Sequence, residues 1–376
     1  MSVESVLGPE AAIARQMPDF ESRPQQVAMA TAVERAIADR RHLMVEAGTG
    51  VGKSFAYLVP AILAALADKD CRVVVSTHTI GLQEQLIRKD LPFLRQVFPD
   101  FRAVLVKGRG NYVSLRRLRV AQQRAGALVA DGEQLLRIGR WSRETGDGTR
   151  SDLAFTPDPA VWDLVESDSG NCLGRKCRDY DRCFYFKARK AMHGAQLLIV
   201  NHALFFSDLA LRAEGLGLLP EYKVVIFDEA HTLEDVAADH LGIQVGQGTV
   251  DYLLNKLWVP RTEKGLLGHH RDDRALRQWQ SVRQAAARLF TDLTAWLDQH
   301  PRGIGRVREP NVVSESLSEE LTKLGSEVNR IADAIDSEEE QIEYTSLAER
   351  CVGVAQSVRQ WLNQSLAGQV YWLETR

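Results

Sequence analysis

The stretch Glu46-Ala47-Gly48-Thr49-Gly50-Val51-Gly52-Lys53-Ser54 follows the apolar run His42-Leu43-Met44-Val45, and its reading decides the fold. The order is strand, glycine-rich turn, helix start. Gly48, Gly50 and Gly52 let the backbone turn tightly, so that successive N–H groups, those of Thr49 and Val51 among them, face a di- or triphosphate at a helix N-terminus. Lys53 then reaches the β- and γ-phosphates, and Ser54 is placed to hold Mg2+. Ala47 stands where the general GxxxxGK[ST] pattern has its first glycine, which marks a sub-type of the loop.

A second motif, Lys223-Val224-Val225-Ile226-Phe227-Asp228-Glu229-Ala230-His231, supports the first. A continuous apolar run ending in acids reads as a buried parallel strand, with its carboxylates at the C-terminal sheet edge where open α/β sheets place ligands. Asp228 can hold Mg2+ through water, Glu229 can orient and deprotonate an attacking water, and His231 can report nucleotide state to a neighbouring surface. One strand-end acid alone is weak evidence. Combined with Lys53 and Ser54 it indicates a nucleoside-triphosphate-hydrolysing core, because phosphoryl transfer needs both a phosphate cradle and a fixed metal.

The chain has 376 residues, enough for two or three domains, and a formal net charge of -3, so any nucleic-acid surface must be local. It contains no apolar stretch of about 18 residues, which argues against membrane insertion, and its first residues lack the basic and apolar regions of a secretory signal. Cytoplasmic localisation is the default expectation. Of the five cysteines, Cys172, Cys177 and Cys183 fall within twelve residues, a crowding that reads as metal binding more than as a disulfide framework. Three free thiols in a small domain are the plainer alternative.

Ahead of the loop, Arg23-Pro24-Gln25-Gln26 opens a helix. The amide of Gln25 or Gln26 can both donate to and accept from an adenine edge, or simply be solvated. Arg72 to Thr77, Phe101 to Val106 and Leu197 to Val200 read as further strands. At the end of the first of these, Thr77, His78 and Thr79 suit a nucleic-acid phosphate and equally an ordinary helix cap. Arg109 and Arg116 begin a basic region that continues through Arg182 and Arg189 around the cysteines, where interleaved aromatics suit contact with nucleic-acid backbone. Residues 144–152 are polar and Gly-rich and read as a mobile loop. The region 240–360 is mainly helical, with a break near Ser337-Glu338-Glu339-Glu340. Apolar residues such as Trp279, Val282 and Leu289 are most simply a bundle core, and Gln369 to Glu374 reads as one more strand of the first domain.

With these motifs in place the sequence resembles the DinG/XPD group of superfamily 2 iron–sulfur DNA helicases, in particular the bacterial DinG-like members, over the N-terminal half of that family only. The resemblance implies an α/β fold: a RecA-like P-loop motor domain with a parallel sheet, built from residues 1–106, 196–239 and 362–376. It is interrupted by an Fe–S-type insertion at 107–195 and a helical arch-like insertion at 240–361. The second motor domain, source of the arginine fingers, is expected outside this chain. The resemblance also implies ATP and Mg2+ as cofactors, 5′ to 3′ translocation on single-stranded or forked DNA, repair or replication proteins as partners, and a monomeric state. Residues 1–376 alone are then expected to be inactive or weakly active. Asp228-Glu229-Ala230-His231 falls on the DEAH box, and Cys172, Cys177 and Cys183 fall on three ligands of a [4Fe–4S] cluster. The place of the fourth is taken by Ser114, so the cluster is expected to be labile, incomplete or absent. A non-unwinding DNA-binding or regulatory module with residual nucleotide binding is the alternative reading.

Overall fold

β1 (Val73–Thr77), β2 (Ala103–Leu105), β3 (Leu197–Asn201) and β4 (Val224–Phe227) form a parallel sheet in the order β2-β3-β1-β4. The computed structural model describes residues 1–16, 21–48, 50–125, 130–213, 215–300 and 305–375. Successive side chains of a strand point to opposite faces, and these strands are apolar on both. Val73, Val75, Leu197 and Ile199 pack with Ala56, Leu58 and Ile62 of helix Lys53–Ala67. Val74, Leu198 and Val200 pack on the other face with Met192, Phe205 and Phe206. The sheet is therefore covered on both sides, an α/β architecture of the RecA-like P-loop type with helical insertions.

The run His42-Leu43-Met44-Val45, expected as the strand entering the glycine-rich loop, is not one. Its side chains lie open to solvent, Met44 being 98% exposed. An extended segment becomes a strand only when a neighbour completes its hydrogen-bond ladder, and the sheet ends at β4 with β1 on its inner side. The strand expected from Gln369 to Glu374 also departs from expectation: β6 (Tyr371–Trp372) pairs antiparallel with β5 (Arg306–Val307) and not with the parallel sheet.

The chain divides into two compact units, Met1–Ser167 with Arg178–Gly242, and Asp168–Cys177 with Ile243–Arg376. Within the first, the segment after β2 has a small core of its own, centred on Tyr112, Leu118, Ile138, Trp162 and Phe184. Residues 144–152, read as mobile from composition, are instead tied down. Thr145 Oγ1 donates to Asp152 at 2.6 Å, and Lys107 Nζ reaches Thr149 Oγ1 at 3.3 Å, so polar side chains that suggest a solvated loop are spent on internal bonds.

The second unit is built on helices Gln247–Leu257, Asp273–Gln299, Leu317–Asp333 and Glu338–Asn363. Trp279, Val282 and Leu289 join Leu321, Val328, Tyr344 and Cys351 in its core. The buried polar atoms are satisfied there: Trp279 Nε1 donates to the Leu254 carbonyl at 2.9 Å and the Tyr344 hydroxyl to that of Leu266 at 2.8 Å. The break near Ser337 is a helix start, with Glu338, Glu339 and Glu340 in a first turn whose partial positive charge favours acids. No helix among the described residues is long and apolar enough to cross a membrane.

Candidate nucleotide site

Helix Lys53–Ala67 emerges directly from the glycine-rich turn, where Gly50 and Gly52 have φ of 83° and 84°. At Gly52 the positive φ disfavours a side chain, and an added Cβ, 2.0 Å from Nε2 of Gln26, would force that amide to move. That amide donates to the Gly52 carbonyl at 2.9 Å. The two candidate glutamines are thus distinguished: Gln26 is buried against the loop and Gln25 is exposed. Gln26 Oε1 is buried with no hydrogen-bond partner. Gly48 is exposed, Val51 is half-buried, and Thr49 lies outside the described residues.

Lys53 Nζ lies 3.3 Å from Glu229 Oε1, with the two side chains 32% and 35% exposed. A pair this exposed contributes only about 0–1 kcal/mol to stability, so its significance is geometric: the loop cation and the strand-end acid share one cleft. Asp228 Oδ2 accepts from the Tyr57 hydroxyl at 3.2 Å, and Oδ1 from the Glu229 N–H at 3.1 Å. β4 stops at Phe227, and two residues on Glu229 takes the left-handed conformation, φ 57° and ψ 47°. That conformation costs a residue with a Cβ about 1–2 kcal/mol. It is held by Thr232, whose N–H and hydroxyl both donate to the Glu229 carbonyl, at 3.1 and 3.0 Å. His231 is largely exposed, with Nδ1 3.5 Å from Glu229 Oε2.

Two further residues at this cleft escape the sequence motifs. Tyr57 follows Ser54 by three residues and so shares its helix face, a spacing that could have flagged it. Burial, reinforced by the Asp228 charge, pushes its phenol well above the ordinary range, which keeps it a hydrogen-bond donor. Asp90 closes a π-helical turn, Leu86–Asp90, and is buried. Burial raises its carboxyl pKa, opposed by a hydrogen bond with Ser54. Nothing in the local pattern announces a π turn, although such turns gather at functional sites. Ser54 and Asp228 offer hard oxygen donors, one hydroxyl and one carboxylate, which fits Mg2+ completed by phosphate and water. They are the residues that would hold it.

The strand end Thr77-His78-Thr79 behaves in part as the plain cap. Thr77 is buried and donates to the Thr79 carbonyl at 3.2 Å, and Thr79 Oγ1 accepts from the Leu82 N–H at 3.3 Å at the start of helix Ile80–Gln85. His78 and Thr79 are exposed. Among the arginines expected to face nucleic acid, Arg182 is exposed but Arg116 is only 2% exposed. Arg109 lies 4.4 Å over the Tyr185 ring and donates to Ser167, and Arg189 donates to the Leu218 carbonyl.

The three clustered cysteines divide between the two units. Cys172 and Cys177 fall in the second unit, Cys183 and Ser114 in the first. Among the described residues no group of three or more His, Cys, Asp or Glu is placed to hold a metal. Ser114 serves as a helix cap, its Oγ accepting from the Arg117 N–H at 3.4 Å. With a serine hydroxyl standing in for one thiolate, the residues present do not complete an iron–sulfur ligand set.

Residues 23–146 match the family model described as DEAD/DEAH box helicase, and residues 160–250 match that described as DEAD_2. The chain is 40% identical over 238 residues to the ATP-dependent DNA helicase YoaA of Escherichia coli (strain K12), a match covering 62% of this chain and 37% of that protein. It is 38% identical to YoaA of Haemophilus influenzae over 59% of this chain and 35% of that one. To the ATP-dependent DNA helicase DinG of E. coli (strain K12) it is 34% identical, over 61% of this chain and 34% of that one. The matches thus span about a third of these relatives' length. A solved structure described as a truncated XPD aligns over 88% of this chain and 80% of its own, at 15% identity and a TM-score of 0.41. The motif-bearing residues thus lie in regions that match the DEAD/DEAH box helicase and DEAD_2 models, and over them the chain is similar to the ATP-dependent DNA helicases YoaA and DinG.

Proposed function

We propose that this chain is the ATP-binding first motor domain, with its insertions, of an ATP-dependent DNA helicase. The observation that carries the reading is the 3.3 Å approach of Lys53 Nζ to Glu229 Oε1, which unites the glycine-rich loop and the DEAH box in one cleft. The similar proteins are ATP-dependent DNA helicases, which supports the same activity. Backbone N–H groups of the loop bind the phosphates, and an incoming γ-phosphate competes with Glu229 for the Lys53 ammonium. Released from that pair, Glu229 accepts a proton from the attacking water. Tyr57 fixes the Asp228 carboxylate, Gln26 props the loop, and Mg2+ supplies charge neutralisation when held by Ser54 and Asp228. His231, exposed beside Glu229, faces where a second motor domain would report hydrolysis.

DNA is the proposed macromolecular partner, tracked 5′ to 3′ as in the resembled family, with His78, Thr79 and Arg182 as the open contacts. Residues 1–106 and 196–239 form the motor domain in this reading, 107–195 an insertion, and 240–361 an arch-like helical insertion. An iron–sulfur cluster rests on cysteine spacing and the family resemblance, and takes no part in the mechanism. Lys53→Ala and Glu229→Gln in the full-length protein test the roles. Both should abolish turnover, but only Lys53→Ala should weaken nucleotide binding, since the amide keeps the shape of the acid. Equal loss of affinity in both variants would sink the assignment.

A further inference from the structure

His202, the residue that follows β3, is fully buried and lies outside the hydrolytic motifs. Its position follows from the strand order. β1 lies between β3 and β4, so a side chain leaving the end of β3 towards β4 must pass over the end of β1. His202 does this: Nδ1 is 2.7 Å from Ser76 Oγ on β1, and the ring lies 6.0 Å from that of Phe227, the last residue of β4. On its other side is His78, at a ring separation of 6.2 Å. Ser76 is itself joined to the DEAH turn, its carbonyl accepting from the Asp228 N–H at 2.8 Å.

The other ring nitrogen, Nε2, is buried with no hydrogen-bond partner. The backbones of Asp228 and Glu229 lie close enough to the ring to act on it. With Nδ1 accepting from the Ser76 hydroxyl, Nε2 carries the hydrogen. One arm of the imidazole is thus made, and the other has no hydrogen-bond partner. A buried donor left unmade is expensive enough to bias an equilibrium tenfold or more, so a small shift of the Asp228–Glu229 turn towards Nε2 is favourable.

We infer that His202 is a positioning residue that ties the Asp228–Glu229 turn to the strand end Ser76–Thr79, so that the placement of Glu229 and the exposed His78–Thr79 edge depend on each other. The inference rests on the proposed hydrolytic site, and it assigns to His202 no contact with substrate. Geometry separates the two arms experimentally. An asparagine at 202 can keep a polar atom near the Nδ1 position but has nothing at Nε2, whereas a glutamine can carry an amide donor to the Nε2 position.

The test uses the full-length protein with His202→Asn, His202→Gln and Lys53→Ala. ATP turnover is measured with and without a thymidine oligonucleotide, alongside fluorescent-ATP-analogue affinity and thermal melting. His202→Asn should bind the analogue within about twofold of wild type yet lose at least about tenfold in oligonucleotide-stimulated turnover. His202→Gln should retain more than a third of it. A merely structural role would lower melting temperature and affinity together, in His202→Gln as much as in His202→Asn, and that pattern overturns the inference. So does wild-type stimulation of His202→Asn while Lys53→Ala is inactive. Full activity in Lys53→Ala would instead overturn the hydrolytic reading, and the inference with it.

Discussion

Gly52→Ala is the substitution whose cost is best worked out from coordinates. The residue has φ 84°, and an added Cβ would meet Gln26 Nε2 at 2.0 Å. The left-handed backbone alone costs about 1–2 kcal/mol once a Cβ is present. The Gln26 amide is the flexible end of a side chain and can swing away, but it then leaves its 2.9 Å bond to the Gly52 carbonyl in a buried setting. A buried amide without a partner adds about 1–3 kcal/mol. Together these raise the phosphate-ready loop by about 2–5 kcal/mol, and affinity falls with the population of that conformer. At 1.4 kcal/mol per tenfold the expected loss in nucleotide affinity is about 30-fold at least and above a thousandfold at most. Titration with a fluorescent ATP analogue measures it. Repeating the substitution in a Gln26→Ala background removes the steric part and should leave only about 5- to 30-fold, the φ part. If Gly52→Ala binds as tightly as wild type, or costs as much in the Gln26→Ala background, the account of Gly52 is wrong.

Tyr57→Phe should lower turnover about 2- to 10-fold and leave the melting temperature within a few degrees, since it deletes one hydrogen bond to Asp228; unchanged turnover over a magnesium titration would remove Tyr57 from the site. Residues 1–376 alone should turn ATP over poorly and bind DNA weakly, with affinity falling steeply in salt because the contacts are cations on phosphate; robust DNA-stimulated turnover by this chain would contradict the need for a second lobe. Anaerobic preparation with iron and sulfide quantified should show less of both per chain in wild type than in Ser114→Cys, as a serine hydroxyl is a poor iron donor; stoichiometric cluster in wild type would restore the spacing-based reading. Burial raises the Cys351 thiol from 9.0 to about 12. Its contribution is complete below the unfolded pKa and is lost as pH rises from there towards 12, at about 1.4 kcal/mol per pH unit; alkaline melts of wild type should therefore lose stability that Cys351→Ala does not, and parallel curves would refute this.

The residues legible in the sequence were those whose chemistry and local spacing coincide. Lys53 and Ser54 belong to one turn, Asp228 and Glu229 to one strand end, and each announces itself without knowledge of the partner. In the fold Lys53 Nζ and Glu229 Oε1 lie 3.3 Å apart, a proximity that neither motif contains on its own. The choice of Gln26 over Gln25 depended on which side of a helix start faces the loop, a matter of a single residue's rotation. Asp90 was invisible because a π turn shifts the helical register that a sequence pattern assumes. Arg116 shows the opposite case: a basic stretch reads as an exposed face, yet this side chain is 2% exposed. His202 could be seen at a strand end, but its reach across β1 follows from the order of the strands, which no local pattern contains.

The outer edge of β4 has a consequence for how this chain behaves in solution. Its run Val224-Val225-Ile226-Phe227 is uncharged and β-branched in the main, and Lys223, at its entry, is occupied by Asp68 at 2.9 Å. Unpaired strand edges template pairing with other chains unless a charge, a proline or a bulge blocks them. Leu43, Met44 and Val45 add a second exposed run that can extend and pair. Molecules of this chain should thus associate through intermolecular strand pairing. That association should grow with concentration and persist at high salt, in contrast to its binding of DNA, and Met44→Lys should suppress it by placing a charge where a neighbouring strand would dock.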